Sequence, residues 1–123
     1  MEVTALGNKK PVYANQECDR TIKAVRDAMY LLEGKWKIPI ISVLCFSRKR
    51  YSDILRGVDG ISGKMLSREL KELEMNKLVK RIVSESSPVV VEYELTEYGC
   101  NFRQVVDQLA AWGIAHREAI LHT

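Results

Sequence analysis

The sequence predicts an α+β fold that is mainly helical, with five helices and one antiparallel hairpin. Two observations carry this prediction. Apolar residues recur at intervals of three or four along much of the chain, which is typical of amphipathic helices. Two short segments rich in β-branched residues, KLVKRIVS and VVVEYELT, are separated by residues 85–88 and predict two strands joined by a turn. At 123 residues, the chain is expected to form one domain.

Residues 1–16 predict a flexible N-terminal arm, because glycine, asparagine and proline interrupt any helical period there. Residues 17–123 predict the folded domain. No apolar run in the sequence approaches the roughly 18 residues of a membrane span, and the polar N-terminus has no secretory signal pattern. These features predict a cytoplasmic protein with no membrane partner.

Two helices are expected at the start of the domain. Apolar residues one turn apart predict a helix from Asp19, capped by Asp19 or Thr21, and Gly34 is expected to break it. The nearly all-apolar residues 36–45 predict a buried second helix. Pro39 fits the first turn of that helix, where proline is tolerated.

A short helix and a longer helix follow, joined by a tight turn. Ser52 is the predicted cap of the short helix, and Gly57 and Gly60 mark the exit from it. Ser62 is the predicted cap of the longer helix, which extends to about Asn76. Two helices joined by a short glycine-containing turn are typical of a helix-turn-helix, whose second helix enters the major groove of DNA.

The longer helix carries a cationic face. At about 100° per residue, Lys64, Ser67, Arg68 and Lys71 fall within about 100° of arc, while the three leucines of the helix fall on the opposite side and its glutamates flank the stripe. Lysine and arginine neutralise phosphates, and the donors of Ser67 and Arg68 also suit base edges. An ordinary solvated helix face is the alternative interpretation.

The charge distribution supports a polyanionic partner. Residues 48–81 contain ten basic and five acidic residues, whereas residues 82–123 contain two basic and six acidic ones. The net charge of +3 therefore hides a strongly basic middle segment and an acidic last third.

The predicted hairpin would form a wing beside the longer helix, with Lys80 and Arg81 at its base. Its tip carries Glu85 and no cation, which is unfavourable for contact with phosphates. The strands are therefore expected mainly to close the core. The residues expected to do so are Val79, Val83, Val91 and Tyr93.

Thr96 is the predicted cap of a final helix that continues toward Leu121. Its apolar stripe has little left to cover in so small a domain, so a two-fold interface shared with the first helix is expected, with an intrachain core helix as the alternative. The predicted interface residues are Ile22, Val25, Met29, Phe102, Val105, Val106, Leu109 and Trp112. A dimer would place two recognition helices ~34 Å apart on a pseudo-palindromic site.

Catalysis and metal binding have little support in the sequence. The three cysteines form no CxxC pair, and the two histidines lie near the C-terminus without a surrounding ligand cluster. No nucleophile–base pair or glycine-rich phosphate loop can be assembled either. The chain is therefore predicted to be no enzyme and to use no cofactor or metal.

Three stretches, EGKWKIPIISVL, RYSDILRGVDGISGKMLSRELKELEMNKLVKR and VEYELTEYG, resemble the HxlR-type transcriptional regulators, a winged-helix group close to the MarR-like proteins. The resemblance covers about residues 18–112. It implies a winged helix-turn-helix with a two-stranded wing and terminal dimerisation helices, acting as a homodimeric regulator of transcription that binds double-stranded DNA. The candidate DNA-binding residues are Arg50, Ser52, Ser62, Gly63, Lys64, Ser67, Arg68, Lys71, Lys80 and Arg81.

The chain departs from the family pattern at several positions. Gly63 stands where a polar side chain is typical, and Val90 stands where the wing usually carries Arg or Lys. In some members a cysteine before the first helix senses oxidants, and Cys18 occupies that position, although Asp19 replaces the usual proline. A redox switch at Cys18 is thus a hypothesis, with an ordinary thiol as the alternative. The sequence leaves open whether a small-molecule effector binds. The alternative function is a protein-interaction module without DNA binding.

Overall fold

The computed structural model describes residues 15–122. These residues fall into two compact units that meet in sequence between Glu33 and Gly34. The first unit contains helix α1 (Asn15–Leu31). This helix begins four residues before the predicted start at Asp19, so Asp19 and Thr21 lie inside it and the predicted cap is wrong. Most of the predicted arm, residues 1–14, lies outside the described residues.

The second unit contains the other elements. Its order is α2 (Lys37–Leu44), β1 (Lys49–Arg50), α3 (Tyr51–Gly57), α4 (Gly63–Met75), β2 (Val79–Val83), β3 (Val91–Leu95), α5 (Glu97–Cys100) and α6 (Arg103–Leu121). The predicted mainly helical α+β fold is confirmed. Two elements were not predicted, the two-residue strand β1 and the separate short helix α5. Among residues 15–122, no helix is both long enough and apolar enough to cross a membrane.

The three strands form one antiparallel sheet in the order β1-β3-β2. The predicted hairpin is β2–β3, with Val79 opposite Leu95 and Val83 opposite Val91. Strand β1 extends the sheet on the other side of β3, where Lys49 lies opposite Tyr93. The strand immediately before α3 is thereby fixed to the wing.

The core of the second unit lies between α2, α3, α4 and the start of β2. Burial of apolar side chains stabilises the folded state by about 25 cal/mol per Å² of apolar surface, so these residues hold α4 in place. The buried apolar residues of this unit are Ile40, Ile41, Leu44, Ile54, Val58, Ile61, Leu66, Leu70, Leu73, Leu78, Val79 and Leu95. The hairpin contributes less than predicted, because Val83 is 47% exposed and Val91 and Tyr93 are only half-buried.

Side-chain caps define several helix ends. Ser62 accepts a hydrogen bond from the backbone N–H of Met65 at 3.1 Å, which confirms the predicted cap of α4. The predicted cap at Ser52 is wrong, since α3 begins at Tyr51 and Ser52 lies within its first turn. Thr96 accepts from Gly99 at 2.9 Å, but the helix that it caps is α5, not one continuous final helix.

Two glycines are required by the backbone. Gly60 ends the turn between α3 and α4 with φ +86°, a left-handed conformation that glycine adopts without steric cost. Gly99 in α5 passes so close to β2 that a Cβ would overlap the carbonyl oxygen of Leu78. The close approach lets Thr96 donate to the Lys77 carbonyl at 2.6 Å, which ties α5 to the start of the wing.

Candidate nucleic-acid interface

Helix α4 presents the predicted polar face to solvent. Lys64, Ser67, Arg68 and Lys71 are all exposed, while the leucines of the helix are at most 2% exposed. The same helix therefore packs one side into the core and turns the other outward, as its apolar spacing predicts. The stripe formed by Lys64, Ser67, Arg68 and Lys71 is called the α4 face below.

Two of the three glutamates of α4 face a lysine from α2. Lys37 Nζ lies 2.6 Å from Glu69 Oε2 and 2.6 Å from Glu72 Oε2. Lys37 is 4% exposed and Glu69 is 8% exposed, so this ion pair is buried. Because both carboxylates face Lys37, they offset less of the positive charge on the α4 face.

Titration of the cluster follows from these contacts. Burial alone would lower the pKa of Lys37, but the hydrogen bonds and charges of Glu69 and Glu72 outweigh it and raise that pKa above 10.5. The hydrogen bond from Lys37 and its charge lower the pKa of Glu72 below 4.5. The Lys37–Glu72 ion pair is therefore fully charged at neutral pH.

The cations of the α4 face differ in their surroundings. Arg68 Nε lies 3.8 Å from Glu72 Oε1, a long contact between exposed side chains that contributes little. Within the described part of the chain, Lys64 and Lys71 form no ion pair with a carboxylate. These two lysines are thus available to a polyanion.

Tyr51 joins α3 to the α4 face. Its hydroxyl donates to the Gly63 carbonyl at 2.5 Å and lies 3.0 Å from Ser67 Oγ. A Cβ at position 63 would lie 3.3 Å from that hydroxyl, so the glycine leaves room for the tyrosine. The departure from the family pattern at Gly63 thus accompanies a specific contact within the helix-turn-helix.

Residues around α3 extend the exposed surface. Arg50 at the end of β1 and Ser52 in the first turn of α3 are exposed, as is Ser62 at the start of α4. Arg56, in the last turn of α3, pairs with Asp53 one turn earlier. No contact in the structure joins Arg50, Ser52 and Ser62 to the α4 face among residues 15–122, so their grouping with it stays a prediction.

The wing is nearly balanced in charge at its base. Lys80 Nζ lies 3.1 Å from Glu94 Oε1, and Arg48 lies 3.2 Å from Glu94 and 3.9 Å from Glu92. Arg81 is exposed, and the tip exposes Val89 at 65% of its surface. Compared with the α4 face, the wing offers fewer unpaired cations.

The cysteines occupy different environments. Cys18 is exposed on α1, and Cys45 is half-buried at the end of α2. Burial raises the pKa of the Cys45 thiol, and the charges of Asp107 and Cys100 add to this rise against the opposing charge of Arg103. Within residues 15–122, no three His, Cys, Asp or Glu side chains are grouped so that they could hold a metal ion.

Helices α1 and α6 contain no buried residue. Most of the predicted interface residues are indeed open to solvent in the single chain, while Phe102 and Val106 are half-buried. The exposed ones are Ile22, Val25, Met29, Val105, Leu109 and Trp112, with exposures from 44% to 67%. The indole of Trp112 stacks on His116 one turn later, with ring centroids 4.8 Å apart.

Sequence reasoning missed Lys37 and Tyr51. A lysine inside the nearly all-apolar second helix was a signal, because a buried ammonium needs an acidic partner. On the helical wheel of α4, Glu69 falls beside the leucines, so it was the natural partner. Tyr51 gave no comparable signal, since its role depends on how α3 packs against α4.

Helices α3 and α4 with the following hairpin define a winged helix-turn-helix, the class to which many transcription regulators belong. A model of the HxlR-like helix-turn-helix family matches residues 31–120. The chain belongs to the HxlR-like helix-turn-helix family.

Relatives agree with this assignment. The HTH-type transcriptional regulator YtcD of Bacillus subtilis (strain 168) is 40% identical over 93 residues, which are 76% of this chain and 74% of that protein. YodB, another HTH-type transcriptional regulator of that organism, is 41% identical over 88 residues, which are 72% of this chain and 79% of YodB. The reduced form of the redox regulator HypR has a TM-score of 0.74 at 31% identity, covering 81% of this chain and 99% of that one.

Proposed function

We propose that the protein is a sequence-specific, double-stranded-DNA-binding transcription regulator that acts as a homodimer in the cytoplasm and catalyses no reaction. One observation carries the proposal: the α4 face is exposed and cationic, and the leucines on the other side of the helix are buried. Lys64 and Lys71, which have no ion-pair partner among residues 15–122, suit phosphates, and Ser67 and Arg68 suit base edges. The naming of the relatives as transcriptional regulators supports a regulatory role.

The experiment compares the duplex affinities of variants that each replace one lysine with glutamate. The preferred duplex is first selected from a random pool with the wild-type protein. Lys64→Glu and Lys71→Glu should each weaken binding to it at least about fivefold, since two charges 4 Å apart interact by about 1 kcal/mol in water. Each lost phosphate contact should also reduce the slope of log K against log salt by ~0.9.

Lys77→Glu is the matched control, because it makes the same charge change just beyond the end of α4. Lys77 is exposed and adopts φ 65°, so its side chain lies outside the helical stripe. Equal losses for all three variants would indicate a nonspecific effect of net charge and would contradict the assignment of the α4 face.

The second candidate is a winged-helix protein-interaction module without a DNA role. The observation that favours it is the large exposed apolar surface of α6, which contains no buried residue. The two functions separate in a retention assay on random duplexes. A DNA-binding regulator is retained on the duplexes and is released when salt is added, whereas an interaction module shows no salt-sensitive retention.

The homodimer rests on the apolar faces of α1 and α6. Large exposed apolar side chains that recur along a helix, as they do in each of these two helices, mark an interaction site. A second copy of the chain is the proposed occupant, because a two-fold dimer would offer two α4 faces to a pseudo-palindromic duplex.

Redox control through Cys18 is the remaining part of the proposal. The thiol is exposed on α1, and HypR, a similar protein, is named a redox regulator. Diamide should lower the affinity of the wild-type protein for its selected duplex and leave Cys18→Ser unchanged, with Cys100→Ser, another exposed cysteine, as the control. If Cys18→Ser responds to diamide as the wild type does, Cys18 is not the sensor.

A further inference from the structure

We infer that Ser67 acts toward DNA only as a hydrogen-bond acceptor, and that it therefore selects an amino-bearing base, adenine or cytosine, over a keto-bearing base, guanine or thymine. The inference deepens the proposed function and rests on it, since it takes α4 to lie in the major groove. It is carried by the hydrogen-bond network of Tyr51, Gly63 and Ser67.

The protons of this network can be counted. The Tyr51 hydroxyl lies 2.5 Å from the Gly63 carbonyl oxygen, which can only accept, so the single phenolic proton is used there. The same hydroxyl lies 3.0 Å from Ser67 Oγ. Since Tyr51 has no second proton, Ser67 must donate to it. The one proton of Ser67 then points at Tyr51, and its lone pairs remain for solvent or a ligand.

Helices α3 and α4 both pack against α2, and this arrangement holds the network together. Tyr51 is the first residue of α3 and is half-buried, whereas Ser67 in α4 is exposed. Gly63, the first residue of α4, allows the close approach, because a Cβ there would already lie 3.3 Å from the tyrosine hydroxyl. The tyrosine is thus positioned by the fold, and it in turn orients the serine hydroxyl.

This orientation matters because a serine hydroxyl normally rotates and can donate or accept, so serine alone discriminates poorly between bases. In the major groove, adenine presents an amino group where guanine presents a keto oxygen. Cytosine and thymine differ in the same way. A fixed acceptor accepts a hydrogen bond from the amino group, but it is repelled by the lone pairs of the keto oxygen. Tyr51 is therefore a positioning residue for specificity, although it need not touch DNA.

The test uses the full-length protein and the duplex selected by the wild type. The nucleotide facing Ser67 is the position whose base preference disappears in Ser67→Ala. At that position the wild type should prefer the amino base over the keto base by about fivefold to a hundredfold, the usual effect of one mismatched pair. Tyr51→Phe frees the serine proton for donation, so the preference should fall toward equality while binding to the selected duplex and its salt dependence persist.

Tyr98→Phe provides the matched control, since Tyr98 is an exposed tyrosine on α5 outside the network. A keto base preferred by the wild type at this position, an unchanged preference in Tyr51→Phe, or no position that responds to Ser67→Ala would each overturn the inference while leaving DNA binding intact. Absence of salt-sensitive duplex binding by the wild type would instead overturn the proposed function, and the inference with it.

Discussion

At the scale of single residues, the contact with the largest consequences is the one between a buried lysine and two carboxylates of α4. Lys37 holds Glu69 and Glu72 at 2.6 Å each and so links α2 to α4 through charge as well as through apolar packing. A buried ion pair of this kind adds little net stability compared with apolar side chains, but removal of one partner is costly because it strands the other charge.

Lys37→Met should therefore lower the free energy of unfolding at neutral pH by about 3 kcal/mol, because Glu69 loses its partner while still buried. The difference between wild type and variant should also depend on pH. Lys37 lowers the pKa of Glu72 below 4.5, so its stabilisation is present above pH 4.5 and is lost as pH falls through that lowered pKa. Urea unfolding of both proteins across the acid range measures the difference.

At alkaline pH, the change of stability with pH depends on the pKa of Lys37. The pKa of Lys37 is raised above 10.5, so the stabilisation is complete below pH 10.5 and disappears only as pH rises through the raised value. The wild-type advantage should thus be a plateau at neutral pH that falls at acid pH. Glu74→Gln, which alters an exposed glutamate of the same helix, is the control and should leave the plateau unchanged. A wild-type advantage that stays constant down to low pH would contradict the role of Glu72.

Single residues were predicted best where local physics decides their position. The spacing of Lys64 and Lys71 against the leucines of α4 placed them on the exposed face, and the Ser62 cap followed from the residue type and its place before an amphipathic run. Ser52 failed as a cap because β1 pairing carries the chain in extended form to Arg50, so α3 starts one residue before Ser52. Such pairing depends on a strand more than 40 residues away and leaves no local pattern.

At the scale of elements, long amphipathic segments were predicted and short ones were not. Helix α4 has a strong apolar stripe, and the β2–β3 hairpin is rich in β-branched residues, so both were found. Strand β1 has only two residues, too few for any period to be read. The final helix was predicted as continuous, yet α5 ends at Cys100 and α6 begins at Arg103. The apolar pattern runs across this break, so periodicity alone could not locate it.

The wing shows how pairing between elements changes the meaning of a basic sequence. Lys80 was predicted to contact DNA, but Glu94 on β3 lies 3.1 Å from its ammonium group and 3.2 Å from Arg48. Because the strand register brings acid and base together, the cations at the base of the wing are partly neutralised. The α4 face, whose lysines have no such partner among the described residues, is left as the stronger site for a polyanion.

At the scale of the whole molecule, the exposed apolar surface of α6 is the proposed binding surface for a second copy of the chain. The helix has 19 residues and is about 28 Å long at 1.5 Å per residue, yet none of its residues is buried. Leu109→Arg and Trp112→Arg should each shift the protein from dimer to monomer at micromolar concentration, because each places a charge in the proposed interface. Analytical ultracentrifugation of the full chain measures the change directly.

Ala111→Arg is the matched control, since it adds the same side chain to an exposed position of α6 about 160° around the helix from Leu109. It should remain dimeric. The monomeric variants should also lose affinity for a duplex with two half-sites much more than for one half-site, because only a dimer contacts both at once. A wild-type protein that sediments as a monomer at micromolar concentration would contradict the dimer, and the selected duplex should then contain a single half-site without two-fold symmetry.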